Sequence, residues 1–138
     1  MKDRAMRPKR ILVADDEAPM SRVIELFLRR EGYEVDVVRD GREALDSILR
    51  RAPDVLVTDI NMPRMTGQAL CLELEKQLPQ RKFRIIVMTS MTDREHRDWS
   101  AHMPNTLFIE KPLSMRALVS TLAEYFANER ADASPGYA

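Results

Sequence analysis

At 138 residues the chain has single-domain length, and its 44% hydrophobic and 32% charged residues are ordinary for a globular protein. Its 22 Lys and Arg balance its 22 Asp and Glu, so no global field draws it to nucleic acid or an anionic membrane, and no apolar run approaches the ~18 residues of a membrane span. The one cysteine, Cys71, excludes an internal disulfide and a multi-cysteine metal site and fits a cytoplasmic setting.

The amino terminus is basic, with Lys2, Arg4, Arg7, Lys9 and Arg10, but the apolar run behind it stops at Asp15 and Asp16, too short for an export signal. Residues 1–9 are expected as a basic tail ahead of one domain over residues 10–128. Within that domain short β-branched runs alternate with longer stretches of helical spacing, the pattern of βα units building a parallel sheet. The first run is Ile11-Leu12-Val13-Ala14. The helix behind it has Pro19 in its first turn, Met20, Val23, Ile24, Phe27 and Leu28 along its apolar face, and Gly32 at its close. The second run, Val35-Asp36-Val37-Val38, leads to a capping box of Asp40 and Glu43, then Leu45, Ile48 and Leu49, with Pro53 at the exit. The third, Val55-Leu56-Val57-Thr58, precedes a helix capped by Thr66, with Leu70, Leu74 and Leu78 at four-residue spacing and Pro79 behind it. The fourth is Ile85-Ile86-Val87-Met88. The fifth, Leu107-Phe108-Ile109, precedes a helix that starts at Ser114, pairs Leu113 with Leu118 as a hydrophobic staple, and buries Leu118, Leu122 and Phe126. Residues 129–138, with Pro135 and Gly136, are expected as a flexible tail too short and polar to fold as an output domain.

A strand covered on both faces reads as continuously apolar, whereas an edge strand alternates. The first, third and fourth runs are continuous. Tyr33-Glu34-Val35-Asp36-Val37 alternates and Leu107-Phe108-Ile109-Glu110 is short and half polar, which puts strands two and five at the edges. The predicted fold is therefore a doubly wound α/β protein with a five-stranded parallel sheet in the order 2-1-3-4-5, the flavodoxin-like arrangement. Ligands of such sheets sit outside the carboxyl ends of the strands, at the switch between strands one and three.

Asp15 and Asp16 end strand one and Asp59 ends strand three, so three carboxylates converge at that switch. For a lone acid at a strand end, capping of the following helix is an equally good reading. Three together repel unless a hard cation neutralises them, and Mg2+ is commonly held by one or two carboxylates with waters and phosphate oxygens. Thr89 and Ser90 end strand four, and Lys111 follows strand five. An aspartate nucleophile, a shielding metal, and a cation with a hydroxyl to hold the transferred oxygens make up the needs of phosphoryl transfer.

These residues resemble the receiver domain of two-component response regulators over residues 9 to about 128. The matching strings are Ile11-Leu12-Val13-Ala14-Asp15-Asp16-Glu17, Asp54-Val55-Leu56-Val57-Thr58-Asp59-Ile60-Asn61-Met62-Pro63 with Gly67 following, and Ile109-Glu110-Lys111-Pro112. Thr89 stands 30 positions after Asp59 and Lys111 stands 22 after Thr89, intervals typical of receivers. The resemblance implies Asp59 as phosphoacceptor, Asp16 as a direct Mg2+ ligand, Asp15 as a ligand through water, and a backbone carbonyl from Asn61. It implies that Thr89 and Lys111 contact the phosphoryl oxygens. Thr89 and Phe108 would form a switch that reshapes the face of the fourth helix, strand five and the last helix. Asn61 and Met91 would tune hydrolysis of the aspartyl phosphate. The implied partners are a histidine kinase or histidine phosphotransfer protein and a downstream protein target, with no direct contact to nucleic acid or membrane.

Residues 91–105 depart from the family. Thr92 and Glu95 can form a capping box, but Arg94, Glu95, His96, Arg97 and Asp98 are polar, only Trp99 and Met103 suggest an apolar face, and Pro104 forbids continuation. A short or mobile fourth helix is expected, and His96 and His102 are read as solvated. Two variants of the reading stay open, a single-domain regulator and a receiver excised from a longer one. An enzyme beyond self-phosphorylation and autodephosphorylation is not expected. A haloacid-dehalogenase-like phosphatase also uses an aspartate, Mg2+ and a Lys, but needs a second acid where Asn61 stands. A phosphorylation-independent receiver usually lacks an acid or the Lys, and this chain has them all.

Overall fold

A computed structural model describes residues 7–90 and 103–133, with side chains through residue 129. The readings of Met91, Trp99, His96 and His102, and of most of the 91–105 segment, fall outside these residues.

Five strands, β1 (Arg10–Ala14), β2 (Glu34–Val38), β3 (Val55–Asp59), β4 (Arg84–Thr89) and β5 (Thr106–Glu110), form one parallel sheet in the order β2-β1-β3-β4-β5. The predicted order holds, and so does its reason. β1 and β3 are buried along their whole length, whereas Glu34 and Asp36 of edge strand β2 are exposed and β5 is only half-buried. The registers pair Ala14 with both Val38 and Thr58, Asp59 with Met88, and Thr89 with Glu110, which brings the carboxyl ends to one rim.

Four helices are described, α1 (Ala18–Arg30), α2 (Gly41–Arg50), α3 (Gly67–Gln77) and α4 (Met115–Ala133). Because side chains alternate across a pleated sheet, each strand feeds two cores. On one face Leu12, Leu56, Ile85 and Val87 pack with Leu45, Ile48, Leu70 and Leu74 of α2 and α3. On the other, Ile11, Val13, Val57 and Ile86 pack with Ile24 and Leu28 of α1 and with Leu118, Leu122 and Phe126 of α4. Each such side chain contributes about 1.5–3 kcal/mol on burial.

The caps fall where the residues predict them. The side chain of Asp40 accepts from the N–H of Glu43 (2.8 Å), that of Thr66 from Ala69 (3.1 Å) and that of Ser114 from Ala117 (3.1 Å). Gly32 ends α1 at φ +94°, a backbone region that favours glycine. Two expectations need correction. The buried stripe of α1 is Ser21, Ile24 and Leu28, while Val23 and Phe27 are exposed together with Leu26, because a helix lying on a sheet hides only a narrow stripe. Leu49 of α2 is exposed for the same reason. The last helix runs to Ala133, past the expected end at residue 128, since no Gly or Pro interrupts the sequence before Pro135.

Candidate metal and phosphoryl site

Asp15 follows β1 directly, and its N–H extends the ladder to the carbonyl of Val38 (3.1 Å). The residue is 1% exposed. Oδ1 accepts from the N–H of Glu17 (2.9 Å), while Oδ2 is buried with no hydrogen-bond partner among the described residues. Asp16 is exposed at the rim. Asp59, the last residue of β3, is 3% exposed. Its Oδ1 accepts from the N–H of Ile60 (2.8 Å) and from Lys111 Nζ (3.0 Å). One carboxylate oxygen from each of Asp15, Asp16 and Asp59 lies within 4.8 Å of the others.

Burial pushes the Asp15 carboxyl above the usual carboxylate range, and the charges of Asp59 and Glu17 add to the rise against the opposing Glu17 N–H and Lys111. Lys111 is also raised. Burial works against its charge, but the hydrogen bond to Asp59 and the fields of Asp59, Asp15 and Glu17 outweigh it.

An all-oxygen trio with one orphaned buried oxygen suits a hard divalent cation, which would supply the partner that Asp15 Oδ2 lacks. Lys111 makes its direct contact with Asp59 and reaches Asp15 through its field alone.

The remaining predicted site residues occupy different places. Thr89 is buried at the end of β4, its carbonyl accepting from the Lys111 N–H (2.6 Å), and its hydroxyl donates to the Ser90 carbonyl (3.2 Å). The two residues expected to hold phosphoryl oxygens are thus stitched together. Phe108 lies within β5, half-buried against the α2 and α3 core. Asn61 is exposed in the β3–α3 loop, two residues beyond Asp59. Met91 is outside the described residues.

Two supports of the site are not evident from side-chain chemistry. Gly67 donates its N–H to the Ile60 carbonyl (2.7 Å), and a Cβ there would overlap the carbonyl of Asp59. Glu17 bears on both Asp15 and Lys111. The run of three acids from Asp15 to Glu17 was the available signal for the second.

The response regulator receiver domain family matches residues 11–123. Among curated proteins, a probable transcriptional regulator, ycf27 of Porphyridium aerugineum, is 36% identical over 115 residues, 82% of this chain and 46% of that protein. The chain therefore spans less than half the length of that relative. Among solved structures, a CheY-like receiver domain protein from Methanospirillum hungatei aligns with a TM-score of 0.82 at 26% identity, over 91% of this chain and 99% of that one. Chemotaxis response regulator CheY4 of Vibrio cholerae aligns with a TM-score of 0.77 at 29% identity, over 86% and 98%. A response regulator from Chloroflexus aurantiacus gives 0.77 at 28%, over 88% and 99%.

Proposed function

The chain belongs to the response regulator receiver domain family, and from that premise we propose that it accepts a phosphoryl group on Asp59 from a histidine kinase or histidine phosphotransfer protein. The observation that carries the reading is the Asp59 carboxylate itself. It ends a fully buried strand, sits within 4.8 Å of two further carboxylates, and holds the Lys111 ammonium at 3.0 Å.

An Asp59 oxygen forms the new bond to phosphorus as the bond from phosphorus to the donor imidazole nitrogen breaks. The electron pair leaves on that nitrogen. Residues Asp15, Asp16 and Asp59 with the Asn61 carbonyl would hold Mg2+, whose charge offsets that of the incoming phosphoryl group. Lys111 already donates to Asp59, so its ammonium needs only to share its protons with a phosphoryl oxygen. Thr89, linked to Lys111 through the backbone, supplies a hydroxyl on the same rim. Phe108, half-buried against the α2 and α3 core, would change rotamer as Thr89 responds.

The donor would cover α1, which leads away from the acid pair and exposes Val23, Leu26 and Phe27, of which Leu26 is 57% accessible. Among the described residues no helix is long and apolar enough to cross a membrane. With its balanced charge, the protein is proposed to act in the cytoplasm on a downstream protein, with no activity beyond its own phosphorylation and dephosphorylation. Incubation with a radiolabelled phosphohistidine donor tests the central claim. Label that requires Mg2+ and vanishes in Asp59→Asn is expected, and label independent of either would overturn it.

A further inference from the structure

We infer that Arg64 and Asp40 form a tether that fixes the β3–α3 loop and thereby sets the affinity of the acidic site for a divalent cation. The inference rests on the reading above, in which Asn61 of that loop presents its carbonyl to the cation.

The loop leaves β3 at Asp59 and is closed at its base by the bond from Gly67 to Ile60. Its far side is seated on α2. There the carbonyl of Met65 accepts from the Gly41 N–H (3.0 Å), and a Cβ on residue 41 would overlap that carbonyl. Between these points Arg64 lies at φ 65°, a left-handed conformation that costs a residue with a Cβ about 1–2 kcal/mol. Its Nη1 donates to Asp40 Oδ2 at 3.2 Å. Asp40 is buried and spends its other oxygen on the Glu43 N–H at 2.8 Å. One carboxylate thus caps α2 and grips the loop.

The pair adds little to global stability, because the Arg64 side chain is 61% exposed and such ion pairs contribute about 0–1 kcal/mol. That gain is no larger than the cost of the backbone conformation it holds. What the contact does fix is the path of a loop that begins at the phosphoacceptor. Arg64 is a positioning residue in this account and touches no ligand.

Electrostatics alone predicts the opposite sign. Arg64 is a cation on the loop that leaves Asp59, so its removal should strengthen the binding of Mg2+. Loss of the tether should weaken it.

Calorimetric titration of the metal-free protein with Mg2+ alone separates the two. Arg64→Asn is the chosen variant, since Asn enters the left-handed region readily and leaves the fold unstrained. Its Kd should rise roughly threefold to tenfold, somewhat below the loss seen when a ligand's own support is removed, with an unchanged melting temperature. Asp40→Asn retains a good helix cap and should weaken binding too. The double variant should be no weaker than the worse single one, as expected for two halves of one contact. Arg64→Lys should recover part of the loss. Equal or tighter binding by Arg64→Asn, or an additive double variant, would overturn the tether and leave the function standing. Failure of the wild type to bind Mg2+ would overturn both.

Discussion

The Lys111 ammonium donates to the Asp59 carboxylate at 3.0 Å across 52 positions of sequence. That single contact joins β3 to the loop behind β5 and crosses the strand between them, so the rim of the sheet is held by charge where its ladder ends. Among the described residues it is the one ion pair made by the acidic trio.

Truncating this cation should therefore cost stability. Lys111→Ala leaves Asp59 buried beside Asp15 and Asp16 with no ion-pair partner, a loss of about 1–3 kcal/mol. Mg2+ should restore more stability to this variant than it adds to the wild type, because a cation replaces the missing charge. Thermal melts of both proteins, with and without Mg2+, measure the difference. Equal Mg2+ increments would mean that Lys111 does not compensate the acids.

Asp59→Asn removes the proposed phosphoacceptor and leaves its shape. Acetyl phosphate with Mg2+ should modify the wild type and not the variant, as read by intact mass. Label at the wild-type rate would move the acceptor to another residue.

Asp15 carries the pH dependence. An acid whose carboxyl is raised in the folded state keeps its proton longer than in the unfolded chain. Its stabilising contribution is full below the unfolded pKa and is lost as pH rises through the folded value. Metal-free protein should lose stability over that rise, and Asp15→Asn should abolish the loss. At neutral pH the variant should be more stable by about 1 kcal/mol, the scale of one relieved buried oxygen. Asp16→Ala, at the exposed rim, should gain less while also losing Mg2+ binding. Denaturant titrations under chelation decide it, and a less stable Asp15→Asn would refute a cost of burying the Asp15 charge beside Asp59.

Gly67→Ala should act on both stability and chemistry. The added methyl meets the Asp59 carbonyl, so the strand end must move. We expect a cost of about 1–3 kcal/mol and slower phosphorylation with acetyl phosphate. A variant with wild-type melting temperature and labelling rate would mean that the loop yields without cost.

The fold was legible because hydrophobic pattern and topology constrain each other. Alternating Glu34 and Asp36 put β2 at an edge, and unbroken Val55-Leu56-Val57 put β3 at the centre, before any contact was known. The site followed, since strand order alone brings Asp15 and Asp59 to one rim. Three features resisted for physical reasons. Helical spacing marks an apolar side without saying how wide a stripe the sheet covers, so Val23 and Phe27 fit the apolar face of α1 by spacing and yet face solvent, as Leu49 does on α2. The left-handed Arg64 has no residue signature, because Arg is not a residue type that favours that conformation. The division of labour between the two acids behind β1, one buried and one exposed, lies in the path of the chain after Ala14, where Asp15 still bonds to Val38, and pattern cannot show that path.

The exposed acids of β2 have a consequence for behaviour at high concentration. An open sheet ends in strands whose outer backbone can recruit a further strand from another molecule, the first step of aggregation. On β2 every second residue at the start of the strand is charged, and the charges are anchored, Asp36 to the buried Arg10 at 3.1 Å and Glu34 to Arg51 at 3.8 Å. A neighbouring chain would have to strip both anions of water and partners to pair there. Asp36→Val would join Val35, Val37 and Val38 into one unbroken apolar run, converting a guarded margin into an adhesive one. The same ion pairs that finish the foot of β1 thus help to keep the molecules apart.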